Sequence, residues 1–185
     1  MSAETTFQMS APFATGVSRA LVKLGQLDAV LAEAKPEVAT MLRHPDARPW
    51  WPGELSIGMT EALAAAGGSP LVRQVGRLTV AESLGPLVRP LIAAVSALTG
   101  ISPATYLGRF NQLAMVALKN ITTHFTPTGP NGGTFFVTYP VEVPAPFVEY
   151  WLGTFDYIFD LSQARGRVDR AEHRGATLHF ELAWE

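Results

Sequence analysis

Along Thr177–Trp184, the apolar residues Leu178, Phe180, Leu182 and Trp184 alternate with Thr177, His179, Glu181 and Ala183. A period of two with one apolar side predicts a strand with one buried face. Arg167–Glu172 is the expected hairpin partner, and the loop between them sets the register. A two-residue loop at Arg174-Gly175 places Asp169 beside Phe180 on the core face. A three-residue loop, His173-Arg174-Gly175 with Gly175 left-handed, places Val168 there instead. It also sets Asp169 opposite His179 and Arg167 opposite Glu181. Two complementary pairs at about 0.2–1 kcal/mol each favour this second register.

Ahead of the hairpin, a helix should start near Pro144–Pro146 and stop at Gly166, since proline suits a first turn and glycine the residue past the last. Glu149, Asp156, Asp160 and Gln163 fall on one stripe. Nearly everything else is large and apolar: Phe147, Val148, Tyr150, Trp151, Leu152, Phe155, Tyr157, Ile158, Phe159 and Leu161. A helix resting on one sheet needs a narrower face than that. Each such side chain gains about 1.5–3 kcal/mol when fully buried, so the helix demands a second surface. That surface is another layer of the same domain, a ligand, or a partner chain.

The remaining elements follow in order. Residues 1–12 read as loose, with Phe7–Phe13 as an optional edge strand. Val17–Ala34 is helical by its apolar spacing, weakened by Gly16 and Gly25. Pro36–His44 starts a short helix that stops before Pro45. Trp50 and Trp51 lie between Pro49 and Pro52 and cannot form a helix interior. They read either as a loop plug sealing the core or as a pocket lid or partner contact. Glu54–Ala66 should be helical to Gly67-Gly68, and Ser69-Pro70 restarts a helix to about Leu84. Leu87–Thr99 reads as a further apolar helix. Ser102-Pro103 opens a helix to Asn120 that puts Tyr106, Phe110, Leu113, Ala117 and Ile121 on one side. Strands at Ile121–Thr126 and Thr134–Val143 flank a turn cluster from Pro127 to Gly133, with Pro140 limiting the second strand. The expected fold class is α+β: N-terminal helices on a small antiparallel sheet of about four strands, closed by a β-α-β-β unit over residues 133–185. The whole of 1–185 reads as one domain.

Composition narrows the chemistry. Lys+Arg 14 against Asp+Glu 16 leaves no basic stripe for nucleic acid or anionic membrane. There is no cysteine, so disulfides, thiol nucleophiles and cysteine-ligated metals are excluded. No signal peptide or stretch of membrane-spanning length is visible, and a soluble, cytoplasmic protein is expected. Phosphate loops, dinucleotide fingerprints, nucleophile elbows and zinc helices are all missing. His179 beside Asp169 reads as a solvated cross-strand pair before it reads as a catalytic dyad. His124 reads as an edge residue before an axial ligand. Asp156 and Asp160 read as a solvated stripe rather than a cation site.

Gly76-Arg77, Leu84-Gly85, Leu91, Gly132-Gly133, Pro144, Trp151, Gly153, Gly166-Arg167-Val168 and Phe180-Glu181-Leu182-Ala183-Trp184 resemble an uncharacterised bacterial family found as many paralogues in myxobacteria. The closing helix and hairpin also resemble, more faintly, the fold shared by haem nitric-oxide-binding domains, vinyl-4-reductase-type ligand domains and TRAPP trafficking subunits. That resemblance implies binding of haem, of small aromatic or acyl molecules, or of partner subunits, often as dimers. The departures are specific. No tyrosine opens the Tyr-x-Ser-x-Arg signature of the haem members, and the cysteines used by the other two groups are missing.

The expected function is therefore a non-enzymatic sensory or regulatory domain that binds a small apolar ligand. The expected ligand-binding residues are Phe147, Tyr150, Trp151, Phe155, Trp50, Trp51 and Phe110. No metal is expected and the cofactor is unknown. The alternative is a protein-interaction or homodimerisation module using the same helix face.

Overall fold

The computed structural model describes residues 6–83 and 102–185, apart from the side chain of Leu113. The expected helix Leu87–Thr99 and the end of the preceding one lie outside the described residues.

Phe7 leads into a short strand, β1 (Gln8–Ser10), where the sequence suggested loose chain. The optional strand within Phe7–Phe13 is thus the alternative that forms, although it lies between two partners and is not at an edge. Met9 pairs with Trp51 of β2 (Trp50–Pro52) on one side and with Leu118 of β3 (Leu118–Lys119) on the other. Trp50 and Trp51 thus lie in a strand, not a loop. Ser10 then caps α1 (Ala11–Leu24), its hydroxyl accepting from the Phe13 N–H, with Pro12 in the first turn. Gly25 at φ 64° ends α1, which splits the single expected helix, and α2 (Leu27–Glu33) and α3 (Pro36–Arg43) follow.

The long helix α4 (Gly53–Ser83) is broken where Gly67-Gly68-Ser69-Pro70 suggested. Gly68 takes φ 64°, ψ −167°, a conformation reserved almost entirely for glycine. Ser102 caps α5 (Pro103–Ala117), accepting from the Ala104 N–H. This helix stops three residues short of Asn120, because Leu118 and Lys119 leave it to pair with β1 and Asn120 turns the chain at φ 59°.

The main sheet is antiparallel in the order β4 (Thr122–Gly129), β5 (Gly132–Thr138), β7 (Thr177–Trp184), β6 (Gly166–Arg174). In β7 the four apolar residues are all buried, as the alternation requires. The hairpin register differs from the expected one. The loop is Gly175-Ala176, with Gly175 alone at positive φ, the arrangement of a type II′ turn. Ala171 faces Phe180, and a bulge at Asp169 returns Val168 to the core face opposite Leu182. Charge pairing survives with different partners: Glu172 faces His179, and Arg170 faces Glu181.

One helix joins the halves. The chain crosses from β5 to β6 through α6 (Pro146–Leu161), which lies between the sheet and α4. Its neighbouring residues Tyr150 and Trp151 belong to two different cores, one among the N-terminal helices and one against the sheet. This explains its breadth of apolar side chains: α4 supplies the second surface. The α4–α6 approach is backbone to backbone. A Cβ on Gly76 would lie 2.2 Å from the Tyr150 carbonyl oxygen, and one on Gly153 would lie 2.0 Å from that of Arg73. Arg73–Asp156 and Arg77–Asp160, each at 2.6 Å, tie the two helices on their outer side. Asp156 and Asp160 thus pair with α4 instead of forming a merely solvated stripe. Among the described residues no helix is long and apolar enough to cross a membrane.

Candidate functional site

Where α4, α5, α6 and the end of β5 meet, the packing leaves a hollow of about 40 Å³. Its wall is assembled from distant segments. Phe147, Tyr150, Trp151 and Thr154 come from α6, Phe110 and Ala114 from α5, and Ser56, Met59, Thr60 and Val80 from α4. Phe7 and Phe13 close the N-terminal side, and Tyr139 follows β5. The rings interlock: Phe110 lies 5.5 Å from Trp151, Tyr139 5.4 Å from Phe147 and 5.2 Å from Phe7, and Phe13 6.3 Å from Tyr150.

Four of the seven residues expected at a site line this hollow: Phe110, Phe147, Tyr150 and Trp151. Three lie elsewhere. Phe155 sits fully buried against Phe135 and Phe180 in the sheet-side core. Trp51 packs in the helix-side core and donates its indole N–H to the Pro45 carbonyl at 2.7 Å, with the Arg48 guanidinium over the ring. It seals a core, but alone and from a strand, where the plug reading expects both indoles in a loop. Trp50 is half-buried on the three-stranded sheet under the Lys119 ammonium, 3.9 Å from the ring centre. Tyr139 also lines the hollow, outside the expected set. Its alternation with Phe135 and Val137 puts it on the buried face, but only α6 lying across it brings it to the hollow.

Two phenols give the hollow its polar character. Tyr139 Oη accepts from Trp151 Nε1 at 2.8 Å. Burial pushes both the Tyr139 and Tyr150 phenols well above their ordinary value, opposed in Tyr139 by the Trp151 bond and in Tyr150 by the neighbouring Thr79 hydroxyl. Both therefore stay neutral. The Tyr150 and Thr79 hydroxyls are neighbours without a formed bond, and each is buried with no hydrogen-bond partner among the described residues. Thr60 and Thr154 donate within their own helices, to the carbonyls of Ser56 and Tyr150. Among the described residues no charged side chain lines the hollow.

The histidines are elsewhere. His44, His124 and His173 are exposed, and His179 stacks on Phe136 on the face of the sheet away from α6, with ring centres 4.4 Å apart. Among the described residues no group of three or more His, Cys, Asp or Glu side chains is placed to hold a metal ion.

No family model and no curated protein matches the chain. Solved structures do match in fold. A ferrous, unliganded H-NOX protein variant from K. algicida aligns at TM-score 0.68 and 11% identity, over 96% of this chain and 97% of that one. An oxygen-binding H-NOX domain related to soluble guanylate cyclases aligns at TM-score 0.62 and 12% identity, over 96% and 95%. A structure from work on haem distortion in the H-NOX family aligns at TM-score 0.62 and 11% identity, over 96% and 94%. The match shows a shared fold over nearly the whole chain.

Proposed function

We propose that residues 1–185 form one non-enzymatic sensory domain of H-NOX-like fold, and that it binds a small, largely apolar molecule in the hollow beside α6. The observation that carries this reading is the hollow itself: four of the aromatic residues expected at a ligand site converge on it from α5 and α6. Oxygen-binding and haem-containing neighbours share the fold, which supports a sensory role.

Haem does not fit this chain. The hollow of about 40 Å³ is far below the roughly 300–1,000 Å³ of pockets for cofactor-sized ligands. Axial ligation needs a histidine, cysteine, methionine or tyrosinate. No histidine faces the hollow, the chain has no cysteine, and residues 84–101 contain neither of these and no tyrosine or methionine. Among the described residues Met59 is the one thioether in the wall, and the two lining phenols are held protonated. No cation among the described residues lines the wall to neutralise propionates.

The ligand is correspondingly small. A cavity of about 150 Å³ takes benzene, so a hollow of about 40 Å³ accommodates a molecule of a few heavy atoms at most. The dimer reading is not favoured in its original form, since α4 and the sheet already cover both faces of α6 within one chain. The test is a titration of methyl-labelled protein with apolar molecules of this size. Shifts should concentrate on Met59, Ala114 and Ala117. No response from any member of the panel would refute the reading.

A further inference from the structure

The unspent hydrogen-bonding groups of the hollow define the chemistry of what it takes. Tyr150 Oη is buried beside the Thr79 hydroxyl with no formed hydrogen bond among the described residues, and Tyr150 lines the hollow. The Tyr139 hydroxyl accepts from Trp151, and its own proton has no acceptor among the described hydrogen bonds. Thr60 and Thr154 have already spent their protons on helix carbonyls. The two lining phenols, Tyr139 and, beside Thr79, Tyr150, thus hold protons without a formed hydrogen bond, in an apolar setting where no described side chain is charged. A buried donor left unmade is costly, so an occupant that accepts is favoured.

A carboxylate would enter without a counter-charge, and an ammonium without a carboxylate; both are disfavoured. An alcohol or amide brings a donor of its own that would need a further acceptor. A carbonyl oxygen accepts twice and donates nothing. We propose that the hollow is a receptor site for a small neutral ketone or aldehyde of a few heavy atoms, its oxygen held by Tyr150 with Tyr139 beside it. This inference rests on the reading of the hollow as a ligand site and deepens it.

The experiment compares acetone with isobutene, which has nearly the same shape and lacks the oxygen, by methyl NMR titration of the full chain. Acetone should bind about tenfold more tightly, the worth of one hydrogen bond in a dry site. Tyr150→Phe should remove that preference and leave isobutene binding unchanged, with wild-type shifts retained away from the hollow. If that variant fails to fold, the comparison on the wild-type chain alone decides. Equal binding of the two probes overturns the carbonyl inference and leaves the ligand reading standing. Binding of neither overturns both. A water bridging Tyr150 and Thr79 that acetone cannot displace also overturns the inference.

Discussion

Gly153→Ala and Gly108→Ala make the same chemical change on two helices and should have opposite effects. In α5, a Cβ on Gly108 meets nothing within 4 Å. The substitution removes only the conformational cost of a helical glycine and should stabilise by about 1 kcal/mol. In α6, a Cβ on Gly153 would lie 2.0 Å from the Arg73 oxygen and 2.7 Å from the Arg77 nitrogen. Ordinary contact begins near 3.4 Å, so α4 and α6 must separate by more than an ångström. Both obstacles are backbone atoms and cannot rotate away. Overpacking of this kind costs about 1–3 kcal/mol and sometimes more. Two rigid obstacles place it at the upper end, giving a net loss of about 2 kcal/mol after the gain in helix propensity. Thermal melts convert this to a midpoint about 4–8 °C lower for Gly153→Ala and about 2–4 °C higher for Gly108→Ala. A Gly153→Ala protein as stable as Gly108→Ala would refute the close α4–α6 approach, and with it the explanation of why α6 is apolar on so many sides.

Removing one oxygen from each phenol should separate them. Tyr139→Phe leaves the buried Trp151 N–H without its acceptor and should cost about 1–3 kcal/mol in a urea titration. Tyr150→Phe removes a hydroxyl that has no hydrogen-bond partner among the described residues and should be neutral or stabilising; a loss above about 1 kcal/mol would mean that the Tyr150 hydroxyl is bonded after all. Both phenols are raised in the folded protein, so they favour the folded state fully below the unfolded value of about 10. That contribution is lost as pH rises towards the folded values, at up to about 1.4 kcal/mol per pH unit for each phenol. The urea midpoint should hold steady to about pH 9.5, then fall, and fall less steeply in Tyr150→Phe. Equal slopes would contradict the burial of that phenol. Haemin added to the purified chain should give no sharp, stoichiometric Soret band, and a one-to-one haem complex would contradict the poor fit argued above.

The sequence was most legible where a pattern is local. Period-two alternation located β7, paired serine and proline marked the starts of α5 and the second half of α4, and the apolar excess of α6 announced a second surface. It was least legible where geometry is set by segments far apart. β1 exists because Trp51 and Leu118 flank it. The hairpin register depends on a bulge at Asp169 and on a II′ turn begun by Gly175, whereas pair counting favoured a longer loop. Gly76 and Gly153 carry no sign that they touch each other's helices. The hollow was only partly legible for the same reason. Phe147, Tyr150 and Trp151 could be read from one helix, but Thr60 and Val80 reach it from α4 and Tyr139 from the segment after β5. Trp50 and Trp51 attracted attention through their size, which here serves a core and a strand.

The most direct test of the central claim is diffraction from crystals held under xenon pressure. A small apolar hollow at the junction of α4, α5 and α6 should take up one xenon atom, with Phe110, Phe147 and Trp151 as its neighbours. Ala114→Leu should exclude it. Xenon bound elsewhere with that junction empty, or side chains closing it completely, would contradict the account.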